Sequence, residues 1–94
     1  MTITISHNSQ ARRFEAEVDS MLSVCDYRRD GDVVVMHHTE VPPALNGRGI
    51  AGQLVAAALT WVRAEGLRVR PSCSYVAAYM QRHPETLDLH AAKS

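Results

Sequence analysis

Apolar and polar residues alternate most cleanly from Arg13 to Val18. Phe14, Ala16 and Val18 fall on one side, Arg13, Glu15 and Glu17 on the other. A period of two marks a half-buried antiparallel strand. The same period runs through Ile3 and Ile5 and predicts a first strand over Thr2 to Ser6, with a turn at His7-Asn8-Ser9-Gln10. Asp19-Ser20 predicts the next turn. A third strand then runs from Met21 to Arg28, with Leu22 and Val24 as its core contacts. Asp30-Gly31 is a strong hairpin signal. Val33-Val34-Val35-Met36 is apolar at every position and predicts a central fourth strand covered on both faces.

Beyond Val41 the period changes. From Ile50 to about Glu65, Ala51, Leu54, Val55, Ala58, Leu59 and Val62 form one stripe at 100° per residue, with Gln53, Thr60 and Arg63 opposite. That is the pattern of a surface helix packed on a sheet. Gly66 caps its C-terminus, Leu67 to Arg70 is a short fifth strand, and Pro71 ends it. Ser72 or Ser74 caps a last helix, in which Val76, Tyr79, Met80 and His83 share a face until Pro84. A core over 1–86 is followed by a loose tail, Leu87 to Ser94. The fold class expected is α/β (α+β), one domain over 1–94: antiparallel strands, then helix–strand–helix. A strand–helix–strand step crosses over right-handed to a parallel neighbour, so the sheet is mixed and its fourth and fifth strands are parallel. If those strands splay, they leave a slot.

Ninety-four residues, 46% of them apolar, suffice for a single small core. Ten acidic and ten basic side chains give a formal charge of zero, so non-specific nucleic-acid binding has no compositional support. No apolar run reaches membrane-spanning length, and no secretory signal precedes the first strand. Cys25 and Cys73 have neither zinc spacing nor a disulfide framework around them. A cytoplasmic monomer or weak dimer is expected, with no nucleic-acid or membrane partner.

The chemistry concentrates between Val41 and Leu54. Two prolines, Pro42 and Pro43, stop sheet pairing, and Gly47, Gly49 and Gly52 stud a turn that opens into the long helix. Amides at a helix start lack intrahelical partners, and the dipole there favours negative charge. A strand, a glycine turn and a helix together make a ready phosphate site. Counting these glycines as G-x-G-x-x-G gives only a weak match, because the strands before them read as a meander, not as a dinucleotide-binding βαβ unit. Glycines that merely pack a helix would look the same in isolation.

Asn46-Gly47-Arg48-Gly49-Ile50-Ala51 resembles the diphosphate motif Q/R-x-x-G-x-G/A of the GNAT superfamily of N-acetyltransferases, with Asn46 where Gln or Arg is usual. His38-Thr39-Glu40-Val41-Pro42-Pro43, Pro71-Ser72-Cys73-Ser74-Tyr75-Val76-Ala77-Ala78-Tyr79 and Arg82-His83-Pro84-Glu85 are similar to motifs of the very short GNAT-like members. The resemblance covers Met36 to Glu85 and implies a single-domain minimal GNAT-like fold with acetyl-CoA as donor. It implies that the pyrophosphate rests on the amides from Gly47 through Arg48, Gly49, Ile50 and Ala51 to Gly52, and that the pantetheine arm pairs with the backbone of Thr39, Glu40 and Val41. It further implies an acyltransferase acting on a primary amine, with an acceptor side that lacks the two helices usual after the first strand.

Transfer to an amine needs a base, a polarised thioester carbonyl and an acid for the leaving thiolate. Glu40 is a candidate base, although a solvated strand-end carboxylate fits the position equally. His37 and His38, adjacent in a strand, should point to opposite faces, one of them a second candidate for the base and the other to pack in the core, with no metal pair between them. Cys73 after the fifth strand is either a small buried hydrophobe or a group at the acetyl centre, lining the site or taking the acetyl group covalently. A nearby helix start would favour its thiolate. Tyr79 matches the GNAT tyrosine that protonates the thiolate, or is a core aromatic. Arg48 is expected to meet phosphate. A non-catalytic acyl-CoA-binding module and a small interaction domain are the other readings.

Overall fold

The computed structural model describes residues 3–91. Five strands form one sheet in the order β1 (Ser6–Asn8), β2 (Arg13–Val18), β3 (Met21–Asp30), β4 (Val33–Glu40), β5 (Arg68–Pro71). The first four are antiparallel, and β4 and β5 run parallel, Val34 opposite Val69 and Met36 opposite Pro71. Helix α1 (Ile50–Ala64) makes the crossover, α2 (Ser74–Arg82) follows β5, and short 3-10 helices span Pro43–Leu45 and Pro84–Leu89. Both helices share one core with Phe14, Cys25, Val34, Met36 and Val69, so they cover a single face of the sheet. The other face carries Glu15, Val24, Arg28 and Arg70, with no helix on it among the described residues.

Helix α1 buries Ile50, Leu54, Val55, Ala58, Leu59 and Val62. Each large aliphatic side chain there contributes roughly 1.5–3 kcal/mol. Gly66, at φ +69°, lets the chain turn back. The amides of Leu67 and Gly66 then reach the carbonyls of Val62 and Arg63, which closes a Schellman motif.

Four expectations are corrected. First, β3 buries Ser23, Cys25 and Tyr27, while Leu22 is 45% exposed and Val24 half-buried. The two-residue turn Asp19–Ser20, both residues at positive φ, pairs Val18 with Met21 and puts Phe14 opposite Cys25 and Ala16 opposite Ser23. Directly opposed side chains share a face, and a one-residue difference in register exchanges the faces. Secondly, the first strand is Ser6–Asn8, not Thr2 to Ser6. Thr2 lies outside the described residues; Ile3 and Ile5 pack against the core without strand pairing. The strand sits further along because Asn8 Oδ1 accepts from the Ala11 amide at the turn and the His7 ring fits among Phe14, Tyr27 and Trp61. Thirdly, Leu87 to Ala91 are docked. Arg63 grips the Asp88 carboxylate through two bonds of 2.9 Å, Leu89 is buried, and the Ala91 amide donates to the Val69 carbonyl at 2.7 Å. The rest of the expected tail, 92–94, lies outside the described residues. Fourthly, Val35 is 1% exposed although no helix covers its face; it lies in register between Arg28 and Arg70, neighbours within the sheet.

His7 stacks on Phe14 at 4.1 Å, and its Nε2 is hydrogen-bonded to the Tyr27 hydroxyl at 2.6 Å. Burial holds the His7 pKa below its ordinary value. The unfolded chain therefore binds more protons than the folded one as pH drops below about 6.5. Stability from this site should be complete above that pH and decline as pH falls through the lowered folded value. Urea unfolding at pH 7 and pH 5 should show a steeper loss for wild type than for His7→Gln; equal losses would remove His7 from the account. A second expectation concerns Ser23, whose buried hydroxyl has no hydrogen-bond partner among the described residues. Ser23→Ala should raise stability by about 1 kcal/mol in the same assay, and a loss of that size would contradict the assignment.

Candidate functional site

Pairing between β4 and β5 stops at Met36 and Pro71, and a last bond runs from the Cys73 amide to the Met36 carbonyl at 2.9 Å. Proline has no amide hydrogen to extend the ladder. On its other side β4 carries a bulge: Tyr27 opposes Met36 and Asp26 opposes His38, which leaves His37 as the extra residue. Bulges bend a strand and re-aim its side chains. From His37 to Glu40, β4 therefore keeps β3 on one edge and has no strand on the other. This is the expected slot. The bulge also corrects the histidine expectation, since both His37 and His38 are exposed and neither packs in the core.

At the mouth of the slot the 3-10 helix Pro43–Leu45 buries Leu45, and the chain turns through Gly47 and Gly49 at φ +86° and +75°. Gly49 is the N-cap of α1, with no side chain bonded across the cap, and its carbonyl accepts the first helical bond, from Gln53. Among the described residues no acceptor takes the amides of Gly47 to Gly52. A cleft of about 200 Å³ opens there, lined by Val41, Asn46, Gly47, Gly49, Ala51 and Tyr75 among others. A β-carbon at Gly52 would lie 3.5 Å from the Tyr75 hydroxyl and 4.0 Å from the Tyr79 ring. Tyr75 is the residue that the sequence reading passed over; its signal is the i, i+4 spacing to Tyr79 on α2. Arg48 points elsewhere: its guanidinium donates to Asp19 at 2.9 Å, an exposed pair across the β2–β3 turn.

Cys73 occupies the N-cap of α2, the place expected for Ser72 or Ser74. Its half-buried thiol donates to the Thr39 hydroxyl at 3.7 Å, and Thr39 in turn donates to the buried Cys25 at 3.9 Å. Burial raises the Cys73 pKa, but the Val76 amide, the Thr39 hydroxyl and backbone groups of Tyr75 and Thr39 outweigh it, and the net shift is downward. These are donors that favour an anion at a helix start. Cys25 differs: burial pushes it up to about 11.

The other candidates stand apart from Cys73. Glu40 opposes Val24 and reaches His38 Nε2 at 3.0 Å on the helix-free face. Tyr79 lies six residues beyond Cys73, about 9 Å along the helix. It stacks on His83 at 3.9 Å and lines a second cavity of about 300 Å³ with Thr60, Arg63 and Glu85. Burial, then Glu85 and Tyr75, raise its pKa, so the phenol keeps its proton at neutral pH. The structure thus joins Cys73 to Thr39, sets Tyr79 beside Tyr75 at the α1–α2 seam, and puts Glu40 across the sheet. Among the described residues no three His, Cys, Asp or Glu side chains cluster as a metal site, and no helix is long and apolar enough to cross a membrane.

Alkylation by iodoacetamide tests the thiol environment. The rate at Cys73 should rise with pH to a midpoint below the ordinary thiol value of about 8.5, while Cys25 stays unmodified. Thr39→Val should move that midpoint upward, because no hydroxyl is then left to turn from Cys25 and donate to the Cys73 thiolate. An unshifted midpoint in a folded Thr39→Val protein would show that Thr39 has no such effect.

A family model described as GCN5-related N-acetyl-transferase matches residues 13–89, from β2 through the second 3-10 helix. Protein NATD1 of Mus musculus is 36% identical over 85 residues, which span 87% of this chain and 77% of that protein. NATD1 of Homo sapiens is 35% identical over 85 residues, covering 87% and 75%; that of Xenopus tropicalis is 34% identical over 86, covering 88% and 79%. The solution structure of a GCN5-like protein from Staphylococcus aureus superposes with a TM-score of 0.76 over 97% of this chain and 90% of that one, a likeness of fold at 22% identity. The chain belongs to the GCN5-related N-acetyltransferase family.

Proposed function

We propose that the protein is an acetyl-CoA-dependent N-acetyltransferase that acylates a primary amine. The observation that carries this reading is the row of unpartnered amides from Gly47 to Gly52 at the positive end of α1, beside the free edge of β4. A diphosphate needs several convergent donors and close backbone approach, and this turn offers both. The space where β-carbons at Gly47 and Gly49 would stand is open, with no atom within 4 Å beyond each glycine and its two chain neighbours. When bound, acetyl-CoA supplies an activated thioester. The backbone of Thr39, Glu40 and Val41 would hold its pantetheine arm, and the amides from Gly47 to Gly52 its pyrophosphate. Asn46 flanks those donors without being needed for them, and Arg48 would have to leave Asp19 to join.

Glu40, bonded to His38 on the open face, would accept the amine proton as the nitrogen attacks the acyl carbon. On the helix face Cys73, backed by Thr39, or Tyr79 with its retained proton would protonate the departing thiolate. Base and acid then stand on opposite sides of β4, an arrangement that favours direct transfer over an acetyl-cysteine intermediate. An acyl-CoA-binding module without turnover would use the same cleft and differs only in forming no product.

Gly52→Val provides the cleanest test. Gly52 is helical with negative φ, whereas a side chain at Gly49 would also strain the backbone at φ +75°. Valine at 52 should fill the cleft against Tyr75 and weaken CoA binding by calorimetry on the order of tenfold, ~1.4 kcal/mol, with the melting temperature little changed. Unaltered affinity in the folded variant overturns the cradle. Glu40→Gln should leave that affinity intact and lower kcat by about 10²-fold across a panel of amines; unchanged turnover would exclude Glu40 as base.

A further inference from the structure

The helix side of the sheet is filled. Both helices, the glycine turn, Cys73 and the two cavities lie there. A donor seated on the start of α1 reaches the free edge of β4 from that side, so an amine must meet the acyl carbon from the open face. Strand register gives the composition of that face in rows. Beside the parting of β4 and β5, Glu15, Val24 and Glu40 form one row, and Arg13, Asp26 and His38 another. Beyond them Glu17 stands opposite Leu22, the most exposed large apolar side chain described. These rows hold four carboxylates, Glu15, Glu17, Asp26 and Glu40, against one arginine, Arg13, which is bonded to Glu15. At the far end the signs reverse: Arg28 and Arg70 flank Val35, Asp30 and Arg68 flank Val33, and with Asp30 lying 3.9 Å from Arg70 three arginines stand against one carboxylate.

We infer that this acidic half of the helix-free face docks a flexible, lysine-bearing basic segment of another polypeptide and presents its lysine to the parting beside Glu40. The inference rests on the acetyl-transfer reading and adds the acceptor class to it. Charge complementarity selects the basic partner. Leu22 and Val24 give the aliphatic stems of its lysines an apolar track, while the ammonium heads meet Glu17 and Asp26, Glu15 being bonded to Arg13 and Asn8. The arginines at the far end repel the same segment and confine it to rows that lead to Glu40. Small ligands are held in concave pockets, whereas a pleated face of this kind suits an extended chain.

The test uses the full chain and a fluorescein-labelled peptide of five Gly-Lys repeats. Anisotropy should show binding that weakens steeply with added salt. Glu17→Lys and Leu22→Lys, neither at the transfer centre, should each weaken it about tenfold without altering CoA affinity, and Glu17→Gln should do so by less. Arg70→Glu, at the far end, should not weaken it. In the presence of acetyl-CoA, mass spectrometry should find acetyl-lysine in the peptide, formed more slowly by Glu17→Lys. Failure to bind CoA would sink the acetyl-transfer reading itself. CoA binding and spermidine acetylation that Glu17→Lys and Leu22→Lys leave unchanged, with no peptide bound, would overturn the docking surface alone. Salt-sensitive dimerisation in sedimentation velocity, abolished by these substitutions and unaccompanied by peptide binding, would overturn it in favour of a second copy.

Discussion

The parting of β4 from β5 is the constraint on which the site depends. Two local facts enforce it: Pro71 cannot donate to a continuing ladder, and the extra residue His37 bends β4 where its partner leaves. Were pairing to continue, Thr39 and Glu40 would spend their backbone groups on a neighbour, and Cys73 could not turn into α2 there. Because pairing stops, one backbone edge is left free within reach of a helix start, and a thiol stands at a second helix start beside it.

Neutral donors dominate this site. Backbone amides at Gly47 to Gly52 have no acceptor among the described residues, those of Tyr75 and Val76 stand by the Cys73 sulfur, and Arg48 within the glycine turn is held by Asp19. Amides pay for their orientation in the folding of the helix, so they need no reorganisation when an anion arrives. The same logic distinguishes the two cysteines. Cys25 and Cys73 are linked through one threonine, yet burial without amide donors pushes one thiol up while the donors of α2 bring the other down.

Packing both helices on one face gives the minimal fold its asymmetry. The covered face supplies almost the whole core, and Val35, the one apolar residue fully buried on the other face among the described residues, is enclosed in register by arginines of its own sheet. The uncovered face is left to charge, acidic near the parting and basic away from it. The docked segment Pro84–Leu89 completes the covered side. Its Asp88 is gripped by Arg63 and its Leu89 enters the core, and just beyond it the Ala91 amide gives β5 a partner on its outer edge.

Local pattern in the sequence was enough for β2, for α1 and its stripe, for the glycine turn that opens α1, and for the parallel pairing of β4 with β5. In each case period, cap and crossover geometry act over a few residues or one connection. The inward face of β3 was in principle legible too: a two-residue turn at Asp19–Ser20 couples it to the alternation of β2, and the aliphatic Leu22 and Val24 pointed the wrong way. Tertiary structure alone decided the rest. The bulge at His37 arises from the match between two strands, the place of β1 from a ring fitted among three distant aromatics, and the docking of Leu87 to Ala91 from an ion pair 25 residues apart in the chain. It also decided that Glu40 faces away from Cys73 and Tyr79, because the face a residue takes beyond a bulge follows from strand pairing and not from spacing.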